Sequence, residues 1–178
     1  MTYQQGRQPL DGNGRTLGQL GMVTTDTQTL SANNTTANVP IFGITGSVLI
    51  NSLYGVVTTT LGANNTAAYW RLNDGSAQSN ITLNTGTTLS GAVAGASIVK
   101  KGLAAAALTL INADQGRISE PTTLETIYFS PFVLQQKTGG VATNIEFVYT
   151  TTDTPTSGVV VFYLGWTPLS ANAAVTAL

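Results

Sequence analysis

The chain contains no cysteine and no histidine. Without cysteine there are no disulfides, thiol nucleophiles, thiolate metal sites or iron–sulfur clusters, and the redox compartment is left open. Without histidine, the side chain most used for acid–base work near neutral pH and for holding transition metals is missing. A Ser-His-Asp arrangement is excluded. Charge is scarce as well: 8% of the residues are Asp, Glu, Lys or Arg, against about 25% in an average soluble domain. Solubility must rest on Thr, Asn, Ser and Gln. The seven basic and eight acidic residues are scattered singly, Lys100-Lys101 being the only adjacent like pair, and sum to a net charge of −1. Phosphate neutralisation needs clustered Lys and Arg, so no footprint for nucleic acid exists. Long apolar runs are absent too. The longest, residues 103–111, is about half of what a membrane-spanning helix needs. Residues 1–8 carry neither the basic nor the apolar segment of a secretory leader, so a soluble protein not exported by that route is expected. A surface this poor in charge does little to keep monomers apart. That is a first hint that partners cover much of it.

What is present is β chemistry on a length of 178 residues, which fits one domain and buries roughly 70% of the surface of the unfolded chain. Residues 1–38 hold Gly6, Gly12, Gly14, Gly18 and Gly21 among polar side chains, and sustain neither a helical nor a strand period of apolar residues. They read as an extended N-terminal arm, with a partly disordered terminus as the alternative. Within it Leu17, Leu20, Met22 and Val23 are apolar and are the candidate partner-binding residues, placed on the chain's own surface or a neighbour's.

From residue 39 onward β-branched and aromatic runs predict strands at 39–45, 47–54 and 56–61, divided by Gly46 and Gly55. A strand at 66–72 is followed by Asp74-Gly75, a tight-turn signature, and by a returning strand at 79–84. Residues 103–111 are ambiguous, four alanines favouring helix and Leu-Thr-Leu-Ile favouring strand, with strand preferred. Residues 116–123 read as a loop and 127–134 as a strand that Pro131 places at an edge or a bulge. Val141, Thr143, Ile145, Phe147 and Tyr149 alternate with Ala142, Asn144, Glu146, Val148 and Thr150, the mark of a strand with one buried face. Turn residues at 153–158 predict a hairpin to 159–166, which is apolar on both faces and so a central buried strand. Turn signals about every eight to twelve residues argue for an all-β, jelly-roll-like β-sandwich over 39–178, preceded by the arm at 1–38.

Catalysis without histidine would need paired carboxylates. Asp11, Asp26, Asp74, Asp114, Glu120, Glu125, Glu146 and Asp153 do not cluster: Asp74 and Asp153 sit in turn sequences, and Glu146 lies on the polar face of a strand. Neither an EF-hand nor a nonapeptide calcium repeat occurs. Gly91-Ala92-Val93-Ala94-Gly95 lacks the context of a phosphate loop and reads as a small-residue turn. Tyr69, Trp70, Phe129, Phe132, Tyr149, Phe162, Tyr163 and Trp166 lack basic neighbours, which favours core packing over stacking on bases or sugars. No catalytic, cofactor or metal residue is assigned, and the chain is expected not to be an enzyme.

The segments Phe42-Gly43-Ile44-Thr45-Gly46-Ser47-Val48-Leu49-Ile50 and Leu53-Tyr54-Gly55-Val56-Val57-Thr58-Thr59, with the ending Gly165-Trp166-Thr167-Pro168-Leu169-Ser170 and Val175, resemble small virion-associated proteins of tailed bacteriophages. The likeness covers about three quarters of the chain, from Ile41 to Leu178, and leaves the arm outside. The resemblance implies a capsid decoration, or cement, protein of jelly-roll type on the capsid exterior, made in the host cytoplasm. It further implies a homo-trimer that binds the major capsid protein and carries no catalytic residue or cofactor. Deleting 1–38 is then expected to leave a folded domain that binds capsids poorly. A tail tube or tip subunit, forming rings of six, is the nearest rival. A host-glycan adhesion module using Trp70, Trp166 and loop Asn and Asp, and a carboxylate glycosidase, are alternatives from other classes.

Overall fold

The computed structural model describes residues 21–31, 35–62, 65–82, 86–100, 107–111, 131–137, 143–152 and 158–178. Eleven strands lie among them: β1 (Met22–Leu30), β2 (Thr36–Thr45), β3 (Ser47–Thr59), β4 (Asn65–Asn73), β5 (Gln78–Asn80), β6 (Ser97–Val99), β7 (Thr109–Ile111), β8 (Phe132–Gln135), β9 (Thr143–Thr151), β10 (Gly158–Pro168) and β11 (Ala174–Ala177). They form two antiparallel sheets packed as a sandwich. The first has the order β1-β10-β3-β6-β7, with β8 also pairing β3; the second has the order β11-β2-β9-β4-β5. β8 pairs Ser47 to Ile50 and β6 pairs Tyr54 to Val56, so two short strands share one side of β3.

The core is the space between the sheets. Phe162, Leu164 and Val160 from β10, and Ile50, Leu53 and Val57 from β3, meet Phe42 and Ile44 from β2, Trp70 from β4, and Ile145 and Phe147 from β9, all essentially without solvent exposure. Phe147 is the hinge of the packing. Its ring lies 4.9 Å from Phe162 across the sandwich and 5.7 Å from Trp70 on the neighbouring strand. Both contacts are tilted, a favoured arrangement for aromatic pairs.

Several expectations are altered by the structure. Residues 22–30, inside the segment read as an arm, form β1, which pairs β10 over nine consecutive residues, and Leu30 is buried in the core. The burial alternation of this strand is carried by Thr24, Asp26 and Gln28 on the half-buried side and Thr25, Thr27 and Thr29 on the exposed side. A period of two borne by polar residues leaves no hydrophobic trace. Gly55 does not divide two strands: β3 runs through it, and a Cβ there would stand 2.9 Å from Val160 Cγ1 and 3.1 Å from the Phe162 ring. The glycine makes room for the partner strand's aromatic.

The hairpin predicted between β9 and β10 is corrected. These strands belong to different sheets and do not pair; β9 lies between β2 and β4, and β10 lies between β1 and β3. β10 is central, as its apolar sequence implies, yet only one of its faces is buried. Val159, Val161 and Tyr163 are half-exposed. The hairpin β4–β5 is present, its returning strand limited to Gln78–Asn80. Of residues 103–111, 109–111 form β7; 116–123 lie outside the described residues, as do 127–130. After Pro131, β8 pairs β3 alone among the described strands, an edge position. Gly46, between β2 and β3, has a φ of +66°, and a Cβ there would lie 2.9 Å from the Ala173 amide nitrogen. A left-handed turn and a close approach both require glycine here.

Candidate interaction surface

Of the residues singled out for partner binding, Leu17 and Leu20 lie outside the described residues. Met22 and Val23 open β1, with 41% and 65% of their surface exposed. They belong to the edge of the first sheet, opposite Trp166 and Gly165. Val23 shares the outer face of that sheet, a larger surface, whereas Met22 lies on the inward side of the ladder with the buried Trp166.

Cross-strand register builds this face row by row. One row runs Thr25, Tyr163, Tyr54, Val99, and the next Thr27, Val161, Val56, Ser97. Toward the other end Thr167, Leu49 and Val133 align, with Val133 59% exposed. Residues directly opposite in an antiparallel ladder share a face. Since Phe162, Leu164 and Leu53 point into the core, these rows point away from it. At the centre the Tyr54 and Tyr163 rings stack with centroids 4.8 Å apart and planes 6° from parallel. Partial burial, then the neighbouring Tyr163, push the Tyr54 phenol up, so it stays neutral at physiological pH. Asn51 donates a 2.8 Å bond to Thr167 Oγ1 on the neighbouring strand. None of the charged side chains among the described residues lies in these rows: Asp26 faces the interior edge, Lys100 is buried, and Arg71, Asp74, Lys137 and Glu146 lie elsewhere.

Side chains along β1 bond one another, Trp166 of the neighbouring strand, and the C-terminal end beside the second sheet. Trp166 Nε1 donates to Thr24 Oγ1 at 3.1 Å, Thr24 Oγ1 donates to the Val175 carbonyl at 3.5 Å, and Gln28 Nε2 donates to Asp26 at 2.5 Å and to the Leu178 carbonyl at 3.2 Å.

Two polar clusters lie away from the face. Arg71 Nε is 2.7 Å from Glu146 Oε2, both side chains nearly buried, while Asn73 donates to Glu146 Oε1 at 2.8 Å and Arg71 Nη1 donates to Gln78 at 2.9 Å. The polar face of β9 is thus covered at Glu146, and Val148 beside it is fully buried. The second cluster lines a cleft of about 230 Å³ between the β4–β5 turn and the end of β8. There Asp74 Oδ1 accepts from the Ala77 and Ser76 amides at 2.6 and 2.8 Å. Those two amides, the Ser76 hydroxyl and, least, Lys137 hold the Asp74 pKa at about 2. Lys137 completes the cleft with a 3.4 Å ion pair to Asp74 and a bond to Ser76 Oγ, so its charged groups face one another.

These contacts give Asp74 and Glu146 structural partners. Among the described residues no three acidic side chains gather as a metal site. Trp70 and Trp166, offered as sugar platforms, are both buried in the core. The residues that sequence reasoning missed are Tyr54, Val56, Val161 and Tyr163. Their signal was the lack of any charge in 47–61 and 158–168, which reads equally as burial on both faces.

Compared with known proteins, the chain matches no family model, no curated sequence and no solved structure.

Proposed function

We propose that the protein is a structural component of a tailed-phage virion, a capsid decoration or cement protein that lays the uncharged outer face of its first sheet on the major capsid lattice. The observation that carries the binding part is the stacked Tyr54–Tyr163 pair framed by Val56, Val161 and Val99. Apolar and tyrosine-rich patches without charge are the composition of interface centres. The virion part rests on the resemblance of residues 41–178 to such proteins, which also implies a trimer on the capsid exterior. Strand orders β1-β10-β3-β6 and β2-β9-β4-β5, with most successive strands crossing from one sheet to the other, support a jelly-roll-like topology. That architecture is common in capsid proteins, an analogy of fold. Several copies engaging neighbouring lattice sites would gain avidity without any strong single contact.

The test adds purified protein to phage capsids that lack it and measures occupancy. Wild-type chain is expected to saturate a fixed number of sites. Val161→Lys, which places a charge on the face, is expected to bind about tenfold more weakly or worse, with an unchanged unfolding midpoint. No capsid binding by the wild type would overturn the reading; full binding by Val161→Lys would move the contact off this face.

A further inference from the structure

β1 is an edge strand, and nothing among the described residues pairs with its free side. Natural edge strands are kept from pairing by brevity, by proline, by bulges, by charged side chains or by a covering segment. β1 carries one such device, the inward-directed Asp26, and that carboxylate is already bonded by Gln28 of its own strand. The strand is nine residues long, contains no proline or basic residue, and its register with β10 runs without a shift. Its exposed row is Thr25, Thr27 and Thr29; its half-buried row is Thr24, Asp26 and Gln28.

We infer that two copies of this chain join through β1, each strand pairing antiparallel with its counterpart about a two-fold axis at Thr27. Side chains directly opposite in a continuous sheet must share a face, so the axis falls on a residue. An axis at Asp26 would set two carboxylates against each other, which is unfavourable. An axis at Thr27 instead sets Asp26 of each copy against Gln28 of the other. Gln28 gives its two amide hydrogens to Asp26 and to the Leu178 carbonyl of its own chain, so in the pair it exchanges the Leu178 bond for one to the second copy's carboxylate. Thr25 meets Thr29, and Thr27 meets itself, a threonine ladder of favourable cross-strand pairs. The net charge of −1 offers little repulsion between copies. The outer faces of the two first sheets become continuous, doubling the uncharged surface. This pairing goes beyond the capsid reading. It gives two copies, or six where a three-fold axis is added, in place of the trimer that the resemblance implies.

The chain has no cysteine of its own, so single cysteines report register cleanly. In Thr27→Cys the two Cβ atoms would lie about 5 Å apart across the axis, near disulfide reach. In Thr25→Cys or Thr29→Cys alone, the like residues stand roughly 14 Å apart, four strand residues along. Sedimentation of the unmodified full chain is expected to give a dimer mass, and diamide to convert Thr27→Cys to a covalent dimer well ahead of either control. Thr27→Lys, exposed in the single chain, is expected to weaken association by about tenfold. A monomer or a trimer of the unmodified chain, or equal cross-linking of all three cysteine variants, would overturn the pairing.

Discussion

Arg71 and Glu146 illustrate what a single buried pair does in a chain with so little charge. Each side chain is nearly buried, so removing one partner strands the other in a low-dielectric site, a loss of about 3–5 kcal/mol. Glu146→Leu is therefore expected to be strongly destabilising in urea unfolding, and Arg71→Met likewise. The double variant should recover most of the loss, because two apolar side chains replace two desolvated charges; strictly additive losses would refute this account. Asp74 works differently. Its carboxylate is held by backbone amides, so its pKa falls from 3.8 to about 2. A depressed folded-state pKa contributes stability that is fully present above about pH 4 and is lost as pH falls toward 2. The stability gap between wild type and Asp74→Asn should accordingly shrink across that window, as measured by unfolding at stepped pH.

At the scale of elements, β3 shows how one residue lets two strands approach. Gly55 lies opposite Phe162, and any Cβ would press on Val160 and the Phe162 ring. Overpacking of this kind costs about 1–3 kcal/mol. Gly55→Val is expected to lower the unfolding free energy by that amount in urea titration despite its better strand propensity; a neutral or stabilising effect would mean that the Phe162 ring moves aside freely. β1 makes the converse point. Its threonines favour extended backbone through β-branching, but its place is fixed by pairing with β10 and by the single buried anchor Leu30.

At the scale of the molecule, β1 belongs to the sandwich, and this changes what truncation should do. A chain beginning at residue 39 loses β1 and the first three residues of β2. It uncovers the long edge of β10, and Trp166 loses its Thr24 partner. Such a chain is expected to unfold at lower urea and to self-associate in light scattering, in place of the intact domain that an arm reading implies. An unfolding midpoint equal to that of the full chain would show that β1 adds nothing to the sandwich.

Fold class and the places of most strands were legible in the residues: β-branched and aromatic runs, punctuated by Gly46, Asp74-Gly75 and Pro131, already exclude a helical protein. Absence of histidine and cysteine likewise decided which chemistries the chain cannot perform. Sheet membership was not legible, because the turn residues at 153–158 are the same whether the next strand pairs with the last one or crosses to the other sheet. The candidate surface was hidden for a related reason. A strand such as β10 reads as apolar on both faces, and only the packing of Phe162 and Leu164 against Phe147 and its neighbours decides which face is core. Tyr163, Val161 and Tyr54 are left outside by that choice, since one sheet can bury only one of its two faces against one partner sheet.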